Sequence, residues 1–124
     1  MTVDNEISEF LKRYNRATHI GDVDTLKTCF DENCVVDGYC ADVRWRVTLA
    51  EYFALIEEYP SNEAQGLEDS TEVLSVDQTG RSAIVKVRET STPMQYTDYL
   101  SLIRLESGWV VTHKAYYSKQ PPPV

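Results

Sequence analysis

Residues 94–117, MQYTDYLSLIRLESGWVVTHKAYY, restrict the folds open to this chain more than any other stretch. Two long runs of strand-forming residues flank a short Glu106-Ser107-Gly108 turn, so the segment reads as a β-hairpin. Polar residues are set into those apolar runs. Asp98 interrupts one strand between Tyr96 and Leu100, and plain alternation puts His113 on a strand face with Trp109, Val111 and Ala115. A hairpin patterned in this way reads as the wall of a cavity.

The rest of the chain has to cover that wall. Ile7, Phe10, Leu11, Tyr14 and Ala17 recur at helical spacing, which predicts an amphipathic helix over about residues 4–18, with Asp4 as N-cap and Gly21 as the stop. Asp22 caps a second short helix that buries Val23, Leu26 and Phe30. Residues 34–40 read as a strand broken at Gly38, and Val43, Trp45 and Val47 alternate as a further extended piece. Thr48 and Glu51 form a capping box for a third helix carrying Leu49, Tyr52, Phe53 and Ile56, which ends before Pro60. Beyond Gly66 the pattern is all strand. Residues 67–76 and 83–90 are joined at Asp77-Gln78-Thr79-Gly80, and Pro93 separates them from the long hairpin. Helices followed by consecutive antiparallel strands give an α+β class. A meander with helices on one side curves around them into a cone with one open mouth, a place for a small-molecule pocket.

The chain of 124 residues fits one domain, residues 1–119, followed by a flexible Pro-rich tail, 120–124. A formal charge of −8 disfavours nucleic acid and anionic membrane surfaces as partners. Three cysteines, Cys29, Cys34 and Cys40, make neither a disulfide framework nor a zinc spacing, and point to a reduced, cytoplasmic setting. The N-terminal residues lack the basic and apolar regions of an export signal. No nucleophile elbow, phosphate loop or metal motif is present. His19 and His113 lie far apart without acids at ligand spacing, so no metal and no cofactor are expected.

Two segments carry a resemblance that covers nearly the whole chain. One is Arg13-Tyr14 with Gly21-Asp22-Val23-Asp24 and Phe30. The other is Tyr96–Ile103 with Gly108–Lys114. Both resemble the nuclear transport factor 2-like superfamily, and the second is most similar to its SnoaL-like and "putative lumazine-binding" groups. The resemblance implies a cone-shaped, strongly curved antiparallel sheet wrapped around three helices. It also implies a pocket rimmed by Tyr39, Trp45 and Phe53, and homodimerisation through the sheet. Steroid isomerases of the superfamily put an oxyanion-donating tyrosine at the position of Tyr14 and the base aspartate at the position of Gly38. Their second donor, a neutral acid, falls at Leu100, two residues from Asp98 on the same face. Asp37 replaces the missing base only if a bulge at Gly38 turns it inward.

Two functions follow as expectations. The first is a small-molecule-binding domain whose ligand, with aromatic or polycyclic compounds as candidates, contacts Tyr14, Tyr39, Trp45, Phe53, Asp98 and His113. The second is a cofactor-independent proton-transfer enzyme, an isomerase, dehydratase or cyclase, with Asp98 and His113 as catalytic groups beside Tyr14. A structural ion pair from Asp98 to Arg88 or Lys86 is the competing reading for that carboxylate. Tyr99, Ile103, Leu105 and Ile84 leave the second sheet face apolar, which a homodimer covers.

Overall fold

The computed structural model describes residues 5–68, 71–91 and 94–122. In chain order the elements are α1 (Asn5–Ile20), α2 (Val23–Cys29), β1 (Phe30–Cys40), β2 (Val43–Arg44), α3 (Leu49–Glu58), β3 (Thr71–Thr79), β4 (Ser82–Ser91), β5 (Met94–Leu105) and β6 (Gly108–Ser118). The strands form one curved six-stranded sheet, ordered β2-β1-β6-β5-β4-β3, against which the three helices pack. This is the α+β architecture expected, with one addition. β1 runs parallel to β6, from Val35↔His113 to Cys40↔Ser118, so the meander gains strands at its C-terminal edge.

Local chemistry sets the helix ends. Gly21 takes φ +71°, a conformation most side chains avoid, and breaks α1 from α2. The Asp22 carboxylate accepts from the Thr25 amide at 3.1 Å and from its hydroxyl at 2.6 Å. At α3 the Thr48 hydroxyl accepts from the Glu51 amide at 3.1 Å while the Glu51 carboxylate accepts from the Thr48 amide at 2.9 Å, a complete capping box. The apolar stripe of α1 (Ile7, Phe10, Leu11, Tyr14, Ala17) is wholly buried, packed with Leu26, Phe30, Val85, Leu100, Leu102 and Val111.

Three bulges bend the sheet. Leu74 and Thr112 fall outside their ladders, and the β1–β6 register slips between Phe30 and Val35. An extra residue on one strand accentuates its twist and bend. The Thr112 hydroxyl donates to the Ser101 carbonyl at 3.2 Å and so fills its own bulge.

Several boundaries differ from the sequence expectations. β3 begins at Thr71 rather than Leu67 and runs on to Thr79, because Asp77 and Gln78 pair with Ile84 and Ala83. The hairpin turn is therefore Gly80-Arg81, with Gly80 at φ +58°. β1 is unbroken at Gly38, which pairs with Tyr116 in regular register. Gln120, the first residue of the expected tail, accepts from the Ser118 hydroxyl and the Gln95 amide. Asp4, expected as an N-cap, and Pro93, expected as a separator, lie outside the described residues, as do Pro123 and Val124 of the tail. No described helix is long and apolar enough to cross a membrane.

Candidate functional site

Strand parity decides what faces the helices. In an antiparallel pair, opposed residues share a face. Leu102, Leu100 and Asp98 of β5 oppose Val111, Lys114 and Tyr116 of β6, and all six look toward the helices. The bulge at Thr112 breaks simple alternation, so Val111 and Lys114 share the inner face although three residues separate them. His113 pairs with Ser101 and Val35 and belongs to the outer face. Glu89 of β4 pairs with Tyr96 and joins the inner face.

Between this inner face and α3 lies a hollow of about 380 Å³. Its sheet side is Val36, Glu89, Met94, Tyr96, Asp98, Lys114 and Tyr116, and its helix side is Tyr52, Leu55 and Ile56. Trp45 and Val47 close one flank, and the loop from Tyr59 to Gln65 lies across the other. That loop is pinned: the Glu63 amide donates to the His19 carbonyl at 3.1 Å, and the Asn62 amide group donates to the Thr90 carbonyl at 3.3 Å.

One end of the hollow carries buried charge. Asp98 is 1% exposed and Lys114 is 5% exposed. The Lys114 ammonium donates to the hydroxyls of Tyr14 and Tyr52, both at 3.0 Å. It stands 3.7 Å from Oδ2 of Asp98, an ion pair too long for a hydrogen bond, and no fixed donor reaches that oxygen, although the neighbouring Glu89 carboxyl can share a proton with Asp98. Burial raises the Asp98 pKa to about 7; Lys114 pulls it down, and the neighbouring Glu89 pushes it further up. For Lys114 burial works against the charge, but the surrounding groups, Asp98 first, outweigh it and hold the ammonium well above its ordinary pKa. Two acids face one base, so the ammonium gains from both while Glu89 opposes the ionisation of Asp98. Burial likewise pushes the Tyr14 and Tyr52 hydroxyls upward, which keeps them protonated donors.

The expected site residues divide into those inside the hollow and those outside it. Asp98 and Trp45 line it. Tyr14 lies behind Lys114, buried in the core and joined to the site through the ammonium. Tyr39 is 47% exposed, because Gly38 and Cys40 take the inner positions of β1. Phe53 is core, edge-on to Phe30 at 5.7 Å. His113 does not line the hollow, so Tyr14, Asp98 and His113 do not share a point in it. The expected partners of Asp98 are also different. Val87 opposes Asp98, so its neighbours Lys86 and Arg88 face the other way. Arg88 pairs instead with Glu72 at 3.6 Å, and Lys86 lies over the Tyr99 ring at 5.6 Å.

Lys114, Tyr52 and Glu89 are the residues that sequence reasoning missed. The usable signal was the run Trp109-Val110-Val111, three consecutive buried residues that strict alternation cannot accommodate. Such a run forces a bulge or a cover on both faces, and a bulge moves Lys114 inward.

Gly38 bears on the isomerase comparison. A Cβ there would lie 2.0 Å from the Tyr116 carbonyl oxygen and 2.7 Å from its ring, so the inner position of β1 accepts no side chain. The Tyr116 hydroxyl reaches across to donate to the Trp45 carbonyl. Asp37 points away and is held by Arg44 through hydrogen bonds of 2.6 and 3.1 Å, which draws its carboxyl below the usual range. There is no bulge at Gly38 to turn it inward. Among the described residues, no three His, Cys, Asp or Glu side chains gather as metal ligands.

This architecture is shared with solved proteins. An NTF-2-like protein of unknown function from Silicibacter pomeroyi DSS-3 superposes with a TM-score of 0.82 at 19% identity, over 92% of this chain and 93% of that one. An NTF2-like protein of unknown function from Shewanella baltica OS155 gives 0.76 at 21% identity, over 97% and 94%. The CaMKII hub of S. rosetta gives 0.65 at 18% identity, over 95% and 98%. These identities establish the fold alone. No curated protein matches the sequence. Residues 2–117 match the family described as "Putative lumazine-binding", and the chain belongs to that family, within the NTF2-like fold.

Proposed function

We propose that the protein binds a small organic molecule in the hollow between α3 and the sheet. The observation that carries this reading is the unpartnered Oδ2 of Asp98, buried in the wall of an otherwise largely apolar cavity. Buried polar atoms are nearly always hydrogen-bonded, whereas this carboxylate has the Lys114 charge at 3.7 Å but no fixed donor in hydrogen-bond contact. A ligand's donor satisfies it. Rings of Trp45, Tyr96 and Tyr116 beside Ile56 and Met94 suit a flat, aromatic or polycyclic body. The family description points the same way.

The test is binding of a panel of flat heteroaromatic fragments, read as thermal stabilisation. Ile56→Trp fills the hollow from a partly buried position at the edge of the core. Fragments that stabilise the wild type are expected to lose their effect in this variant. Equal stabilisation of both proteins would place binding elsewhere and contradict the proposal.

A second reading, cofactor-independent proton transfer, draws on Asp98 titrating near 7, where a carboxyl both takes and returns a proton at neutral pH. Asp98 would be its acid or base, with the Tyr52 hydroxyl as donor and Lys114 as the nearby charge. His113 has no place in it. We further infer a homodimer through the outer sheet face, and a reducing, cytoplasmic setting in keeping with three buried, unpaired thiols.

A further inference from the structure

A lysine in a pocket ordinarily attracts carboxylates and phosphates. Here two of its three protons are already directed elsewhere. Two go to the oxygens of Tyr14 and Tyr52 at 3.0 Å, and the Asp98 carboxylate lies on a third side at 3.7 Å. Lysine has three donors and no acceptor, so little is left for an incoming anion. Glu89 adds a second carboxyl to the same wall. Once Asp98 has lost its proton, above about pH 7, two carboxylates face one ammonium, and an anion entering a poorly solvated cavity meets that negative excess with little screening.

What the end of the hollow offers a ligand is acceptors. Asp98 lines the hollow, and its buried Oδ2 has no fixed hydrogen-bond donor. The Tyr52 hydroxyl accepts from Lys114 and so keeps its own proton to donate. Acceptors on one side and one hydroxyl donor on the other complement a planar group that carries N–H beside a carbonyl or ring nitrogen. We propose that the hollow selects flat ligands that present N–H donors to Asp98 and Glu89, neutral or cationic, and rejects carboxylates and phosphates. This rests on the binding reading above and gives it a ligand chemistry.

Three probes of one shape separate the possibilities: 2-naphthamidine, 2-naphthamide and 2-naphthoate. Affinities are measured by calorimetry, and the Trp45 indole N–H resonance locates the binding. The expected order is amidine, then amide, then naphthoate, with at least about tenfold between the first and last, equivalent to about 1.4 kcal/mol. Asp98→Asn is expected to erase most of that ratio. Glu89→Gln, at a half-buried position less critical for folding, is expected to reduce it as well. Naphthoate binding as tightly as amidine would overturn the ligand chemistry and leave the hollow as a binding site. A ratio unchanged in both variants would attribute the preference to the overall charge of −8 and overturn the assignment. If none of the three moves the Trp45 resonance at millimolar concentration, both readings fail.

Discussion

Asp98 gives the site its pH dependence. In the folded chain it holds its proton up to about pH 7, mainly through burial, whereas an aspartate in an unfolded chain releases its proton near 4. Between those values the folded state binds the extra proton. This group therefore weakens the fold as pH rises from about 4 to about 7, by roughly 1 kcal/mol for each unit. Lys114 acts in a different window: with its pKa raised, the stability it contributes is present through neutral pH and lost only in strong alkali. Asp98→Asn removes the acidic titration and keeps the shape. Urea unfolding across that interval should show a flatter stability profile in the variant than in the wild type. Parallel profiles would mean that Asp98 has an ordinary pKa. The Cys34 thiol does not compete in this range, since burial lifts it to about 11.

At the level of elements, β1 and β6 hold the site together through Gly38. The glycine lets the backbone of Tyr116 lie against β1, and the Tyr116 hydroxyl then ties to the Trp45 carbonyl at the flank of the hollow. Gly38→Ala places a methyl group 2.0 Å from a backbone oxygen, which must move. Overpacking costs typically 1–3 kcal/mol, and about 3 kcal/mol is expected here because the obstacle is main chain rather than a flexible side chain. Chemical denaturation measures it, with Gly80→Ala as a control that meets no atom within 4 Å but has a positive φ. A loss at Gly38 no larger than at Gly80 would contradict this account of the strand pair.

The elements were more legible in the sequence than the site was. The α1 stripe, the capping box at Thr48 and the β5–β6 hairpin all rest on local patterns, and local patterns survive folding. The parallel docking of β1 on β6 joins segments some seventy-five residues apart, and no short-range signal encodes it. Site membership depended on parity. One unpaired residue, Thr112, moves His113 out of the hollow and Lys114 into it. Tyr39 missed by a single position for the same reason: an inner and an outer strand face differ by one residue. Asp98 keeps the parity that plain alternation gives it because the ladder between it and Leu102 is regular on β5.

For the molecule as a whole, the outer sheet face is the feature still without a partner. Ile84 is 48% exposed, Tyr99 46% and Tyr117 48%, and the ladders place them together on that face with Ile103. Exposed apolar side chains gathered on a sheet face suit burial against a second copy, where a stable interface covers about 800 Å² on each partner. Sedimentation equilibrium at micromolar concentration is expected to give a dimer. Ile84→Lys with Ile103→Glu is expected to give a folded monomer, since neither side chain reaches the core. A wild-type monomer would contradict the dimer.

The hollow and the outer face both offer a flat apolar compound a place to settle, so locating a bound fragment tests the account most directly. Methyl-labelled protein reports on both at once: Val36, Val47, Leu55, Ile56 and Met94 line the hollow, while Ile84 and Ile103 lie on the outer face. Titration with a flat heteroaromatic N–H donor is predicted to shift the first set of methyl resonances in a saturable manner and leave the second set in place. Saturable shifts at Ile84 and Ile103 with a silent hollow would contradict the assignment of the binding site.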